Sequence, residues 1–175
     1  PTVDPKATVA ALSSALQAHR AQTKVFSEDD VDDQTKQCLS NPPPPDQKEA
    51  YVTFLTGNQA GYIAGVLALG EALRHVNSTR PLIVMHLDDV PAVELDYLHR
   101  ASIRTIQVAS IPNPNCHANK GRACGRGRDN YSKLTAFSLT EYKSLVYLDC
   151  DMAIRRNIDE LFCFETFTAC RISTC

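Results

Sequence analysis

From Tyr51 to Leu148 short apolar runs alternate with amphipathic stretches, and this alternation limits the possible folds more than any other feature. "YVTFLT" (Tyr51 to Thr56) is rich in β-branched and aromatic residues and stops at Gly57-Asn58, a turn signal. Tyr62, Val66, Leu69, Leu73 and Val76 then recur at helical spacing, and "PLIVMHL" (Pro81 to Leu87) is a continuous apolar run suited to a strand covered on both faces. The pattern predicts a helix over Pro91 to Ala101, a strand over Ile103 to Val108, a helix over Tyr131 to Tyr142 carrying Leu134 and Phe137, and a strand over Ser144 to Leu148. Because each crossover returns to the same edge of the sheet, the expected class is α/β: a Rossmann-like, mostly parallel sheet with flanking helices.

The flanks read differently. Residues 1–49 are expected to be a helical or disordered arm: a short amphipathic helix from Asp4-Pro5 to about Arg20, then the acidic run Glu28 to Asp33 and the prolines Pro42 to Pro45, which favour solvated chain. Residues 50–162 form the expected domain, and residues 163–175 a tail outside it. At 175 residues the chain suits one domain. No stretch is long and apolar enough to span a membrane, and no secretory leader is evident in a chain that starts at Pro1, so a cytoplasmic protein is the expectation. The seven cysteines lack paired spacing and are expected to be free thiols; Cys116, His117 and Cys124 do not make a zinc site without a fourth ligand at finger-like spacing. In that compartment the sequons at Asn77 and Asn130 are chance matches. A formal net charge of -2 does not point to nucleic acid. The basic, glycine-containing loop from Pro112 to Asp129 has no interleaved aromatic residue and is read as a flexible loop near the ligand rather than an RNA-binding segment.

Open parallel sheets bind ligands beyond the carboxyl ends of their strands. Polar residues gather there: Thr56-Gly57-Asn58 after the first predicted strand, Asp88-Asp89 after the second, and Asp149-Cys150-Asp151 after the fourth. With no GxGxxG fingerprint and no GxxxxGK[ST] loop, dinucleotide and P-loop chemistry are disfavoured. On extended backbone Asp149 and Asp151 would share a side with Cys150 turned away, two hard oxygen ligands for Mn²⁺ or Mg²⁺. Asp88 or Asp89 reads as a cap for the helix that starts near Pro91. An Asp-x-Asp after an apolar strand is also the outline of Mg²⁺-dependent aspartyl phosphatases, although here Met152-Ala153 replace the usual small turn and the strand is late.

Three blocks together, "AYVTFLTGNQAGYIAGVLALGEALR" (Ala50 to Arg74), "NYSKL" (Asn130 to Leu134) and "YLDCDMAIRRNIDELF" (Tyr147 to Phe162), resemble the family-eight retaining glycosyltransferases, and the galactinol synthase and glycogenin branches in particular. The resemblance implies a hexosyltransferase that takes its sugar from a uridine-diphosphate donor, UDP-galactose or UDP-glucose, with Mn²⁺ (or Mg²⁺) held by the Asp-x-Asp. Carried over by position, Asp149 and Asp151 match metal ligands. Phe54, Thr56, Asn58 and Tyr62 lie where the family contacts uridine, and Lys133 matches a lysine near the donor. A small polyol or sugar is the implied acceptor, myo-inositol first, and a homo-oligomer is compatible. Phe54 and Tyr62 also have a simpler reading as core residues, and Lys133 as a solvated one. Asn157 to Phe162 reads as structural.

The pattern breaks after Phe162. The 24 residues from Met152 to Cys175 hold no histidine and no tryptophan, where the family places a third metal ligand and further phosphate contacts. A C-terminally truncated transferase is therefore expected, with a UDP- and metal-binding fragment or pseudoenzyme as the alternative.

Overall fold

The computed structural model describes residues 33–41, 44–46, 48–57, 60–113, 129–164 and 167–169. Four strands, β1 (Glu49–Leu55), β2 (Leu82–His86), β3 (Arg104–Gln107) and β4 (Ser144–Tyr147), form one sheet in the order β3-β2-β1-β4. Every pairing is parallel, with Phe54 opposite Met85, Ile83 opposite Arg104 and Val52 opposite Tyr147. The parallel α/β architecture expected from the alternation is present, and each strand lies within two residues of its predicted bounds. β1 and β2 are buried along their whole length, which is why their sequences show no alternation.

Two apolar layers cover the two faces. On the first, Tyr51, Leu55, Leu82, Val84 and Leu148 pack against Ile63, Val66, Leu69 and Leu73 of α2 (Ala60–His75) and Leu98 of α3 (Ala92–Arg100). The buried stripe of α2 thus starts at Ile63, and Tyr62, expected on it, is 42% exposed. On the second face Val52, Phe54, Ile83 and Met85 pack with Ile106, Val108 and Leu139, and Tyr142 and Tyr147 close the layer. The helix expected over Tyr131 to Tyr142 is a shorter 3₁₀ helix, Asn130–Ser138, and it flanks this face.

The chain leaving β4 runs back toward the amino ends of the strands. Ile154 and Ile158 pack on the first-face core, and the Asn157 side-chain amide donates to the carbonyls of Val76 and Asn77. A short turn, Asp159–Cys163, then carries a buried polar knot. Asp159 accepts hydrogen bonds from the hydroxyls of Tyr51 (2.7 Å), Ser78 (2.6 Å) and Thr79, from the Thr79 amide, and from Arg80 at 3.2 Å. Arg80 also pairs with Glu49 at 3.0 Å and lies 5.3 Å from the centre of the Phe162 ring, which meets Tyr51 edge-on. Burial pushes the Asp159 carboxyl up, but these hydrogen bonds and the Arg80 charge outweigh it and hold it below its usual value. Burial, then the Asp159 carboxylate, push the Tyr51 hydroxyl well above its usual range.

Two features depart from the expected organisation. A helix, α1 (Asp33–Ser40), lies between the acidic run and the prolines and contacts the Asp159 turn. Its Cys38 forms a disulfide with Cys163, 125 residues away. The expectation of free thiols fails at these two positions, because the pairing is created by tertiary folding and leaves no trace in local spacing. Cys150 is free, and the other four cysteines lie outside the described residues, as do the helix predicted up to Arg20 and the basic loop from residue 114 to 128.

Candidate functional site

The strand order creates the site. From β1 the chain moves to β2 and β3 on one side, and β4 then adds on the other side of β1, so the connections diverge at β1 and β4. Such a reversal opens a crevice at the carboxyl ends of the two strands. Thr56 and Gly57 leave β1 at this end, and Asp149 to Asp151 leave β4 at the same end. The last bond of the β1–β4 ladder runs from the Leu148 amide to the Val52 carbonyl at 2.9 Å.

At the β4 side, Lys133 of the Asn130 helix reaches across and donates to Asp149 Oδ1 at 2.5 Å. Its ammonium lies 5.6 Å from the centre of the Tyr147 ring, and the Tyr147 hydroxyl is 3.4 Å from the same carboxylate oxygen. Burial, then the Asp149 carboxylate, raise the Tyr147 hydroxyl far above its usual range, so it remains a neutral donor to that carboxylate. Tyr147 is half-buried in the second-face core, which fixes its ring beneath Lys133.

The acidic triplet is not extended as expected: β4 ends at Tyr147, and the Met152 amide donates to the Asp149 carbonyl at 3.2 Å, closing a turn. Cys150 points into the first-face core, while Asp149 and Asp151 are exposed. Burial, then the Asp151 carboxylate, raise the Cys150 thiol, which makes it a poor nucleophile. The turn sits directly on α2, where a Cβ on Gly65 would be 2.7 Å from the Cys150 carbonyl oxygen. Only glycine permits that approach.

Among the described residues no group of three histidine, cysteine, aspartate or glutamate side chains could enclose a metal ion. The available donors are two exposed carboxylates, one of them already bonded to a lysine. That set suits a hard divalent cation which completes its shell with water and a ligand's phosphate oxygens, and it does not suit a closed protein cage.

At the β1 side, the Thr56 hydroxyl donates to Asp89 Oδ2 at 3.3 Å, and Gly57 adopts φ +72°. The helix-capping role expected of Asp88 or Asp89 is overturned: Pro91 is the N-cap of α3 and no side chain caps it. Of the residues singled out from the sequence, Thr56, Lys133, Asp149 and Asp151 stand at the carboxyl end of the sheet with polar groups accessible. Tyr62 is exposed in the first turn of α2, whereas the Phe54 side chain is buried in the second-face core. Asn58 lies outside the described residues. Sequence reasoning missed Tyr147, Gly65 and the link from Asp89 to Thr56. The i, i+2 spacing of Tyr147 and Asp149 at a strand end was the available signal for the first.

No family model matches the chain. It is 40% identical over 119 residues to galactinol synthase 10 of Arabidopsis thaliana, covering 68% of this chain and 35% of that protein. Against galactinol synthase 1 of Ajuga reptans it is 39% identical over 115 residues, 65% of this chain and 33% of the relative. A UDP-glucuronate:xylan alpha-glucuronosyltransferase of Arabidopsis thaliana, number 2, is 28% identical over 158 residues, 90% of this chain and 24% of its own length. The chain thus spans about a third or less of the length of these relatives.

Proposed function

Since this chain belongs to the family-eight glycosyltransferases, we propose that it binds a uridine-diphosphate sugar at the β1–β4 crevice and transfers the hexosyl group to a small polyol or sugar. The observation that carries the reading is the convergence of an acidic turn and a lysine at the switch point of a parallel sheet. UDP-galactose is the donor proposed first, with UDP-glucose next, and myo-inositol the first acceptor, in keeping with the galactinol synthase relatives.

In this reading Asp149 and Asp151 hold Mn²⁺ or Mg²⁺ through carboxylate oxygens. The bound cation would neutralise charge on the departing diphosphate. Lys133 is held beside Asp149 by its ion pair and by the Tyr147 ring, where its ammonium can meet phosphate or sugar oxygens as their charge grows. Thr56 and the exposed Tyr62 meet the nucleoside, and the buried Phe54 supports the strand beneath it. No helix among the described residues is long and apolar enough to cross a membrane.

Calorimetry with UDP in the presence and absence of Mn²⁺, together with hydrolysis and transfer assays on UDP-galactose and UDP-glucose, tests the proposal. Turnover supports a transferase, and metal-dependent binding without turnover supports a nucleotide-binding unit. The absence of both binding and turnover rejects the donor site. Replacing Asp149→Asn together with Asp151→Asn is expected to remove the Mn²⁺ dependence of UDP affinity, and an unchanged affinity refutes the ligand assignment.

A further inference from the structure

The carboxylate of Asp89 faces the turn that ends β1. It accepts the Thr56 hydroxyl hydrogen through Oδ2 at 3.3 Å, and a Cβ built on the neighbouring Gly57 would be 3.9 Å from the same oxygen. The two strand ends that carry these residues are tied together, because the Leu87 amide donates to the Leu55 carbonyl. Asp89 itself is exposed, Thr56 is half-exposed, and neither Asp88 nor Asp89 caps α3. A carboxylate at this place therefore serves the β1 turn rather than the helix that follows it.

A hydroxyl has one hydrogen to give and two lone pairs with which to accept, and an ionised carboxylate can only accept. Once Thr56 gives its hydrogen to Asp89, it can meet a ligand only as an acceptor. We infer that Asp89 is a specificity-determining residue: by committing the Thr56 hydroxyl hydrogen, it makes the turn select a base that presents an N–H donor, as uracil does at N3, over one that presents a lone pair there, as cytosine does. A ribose hydroxyl can rotate to suit either state of Thr56, but a ring nitrogen cannot, so the discrimination falls on the base. The inference rests on the reading of this crevice as a uridine-diphosphate site.

The test compares UDP and CDP affinities by calorimetry, in the presence of Mn²⁺, for the wild type, Asp89→Ala, Thr56→Val and the double variant, with circular dichroism to verify folding. The wild type is expected to prefer UDP by on the order of tenfold or more, one hydrogen bond being worth roughly that factor. Asp89→Ala frees the hydroxyl to turn its hydrogen toward a cytosine ring nitrogen, so the UDP:CDP ratio falls by on the order of tenfold, mainly through tighter CDP binding. Thr56→Val lowers the ratio to a similar level, and the double variant adds nothing further. Asp89→Glu, which keeps a carboxylate, is expected to recover part of the preference, and Asp89→Leu replaces the alanine variant if that chain does not fold. The ratio is the decisive reading because general loosening of the site affects both nucleotides alike. A wild type that binds UDP while the ratio stays unchanged in Asp89→Ala overturns the role of Asp89 and leaves the uridine site standing. A wild type that binds no UDP overturns the site and the inference together.

Discussion

Lys133 and Asp149 come from different elements, 16 residues apart, and are joined by a 2.5 Å hydrogen bond at the carboxyl end of β4. Both side chains are partly exposed, 38% and 53%, so the pair contributes little to folding. Lys133→Met is therefore expected to leave unfolding stability within about 0.5 kcal/mol of the wild type while lowering UDP affinity about tenfold. Chemical denaturation and calorimetry on the same preparation separate the two effects. A stability loss equal to the binding loss would mean that the lysine is structural.

Gly65 presses α2 against the acidic turn, and Gly61, one turn earlier, has no atom within 4 Å of the place where a Cβ would sit. Gly65→Ala must move either the helix or the Cys150 peptide and is expected to cost about 1–3 kcal/mol, with weakened Mn²⁺-dependent UDP binding. Gly61→Ala adds a methyl group in open space inside a helix and is expected to be neutral or to stabilise by up to about 1 kcal/mol. Similar effects from the two substitutions would show that the close approach is unimportant.

The buried knot at the opposite end of the sheet predicts a stability effect without a binding signature. Asp159→Ala leaves Arg80, whose side chain is 3% exposed, without one of its two carboxylates, and removes the acceptor for Tyr51 and Ser78. A loss of about 3–5 kcal/mol is expected. The wild-type carboxyl titrates below its ordinary value of 3.8, so its stabilising contribution is complete above that pH and disappears as pH falls through the lower folded-state value. Acid unfolding curves should show this dependence in the wild type and lack it in Asp159→Ala.

The Cys38–Cys163 bond closes a loop of more than a hundred residues, for which the chain-entropy account gives about 4–5 kcal/mol. Dithiothreitol is expected to lower the unfolding midpoint of the wild type and to leave that of Cys38→Ser unchanged. Mass spectrometry of unreduced peptides should recover the residue 38 and 163 segments as one linked species. Free thiols at both positions under oxidising conditions would contradict the pairing.

How much of this was legible depends on the range of the interactions. β1 and β2 could be read because burial on both faces imposes continuous apolar runs, and turn residues at Gly57 and Pro81 mark their limits. The end of β4 and its acids were legible because Ser144 to Leu148 is also a largely apolar run, although β4 lies at the sheet edge and is only half-buried. The backbone path of the acids was not, because a reverse turn and an extended triplet share the same local sequence. Asn157 to Phe162 read only as a structural segment, and the partners of Asp159, namely Tyr51, Ser78 and Arg80, stand about 80 or more residues earlier in the chain. Cys38, Cys163 and the contact from Thr56 to Asp89 were hidden by the same long separation. Tyr62 was misplaced because its helical spacing from Val66 matches the buried stripe, whereas in the first turn of α2 it is the next residue, Ile63, that enters the core.

The docking of α1 on the Asp159 turn has a consequence during translation. A ribosome delivers Asp33–Ser40 well over a hundred residues before the surface that receives it, so this segment must wait, solvated and with Cys38 still unpaired with Cys163, while the strands are made. Its seating therefore follows the synthesis of all four strands, and wrong thiol partners are most dangerous in the interval before Cys163 emerges.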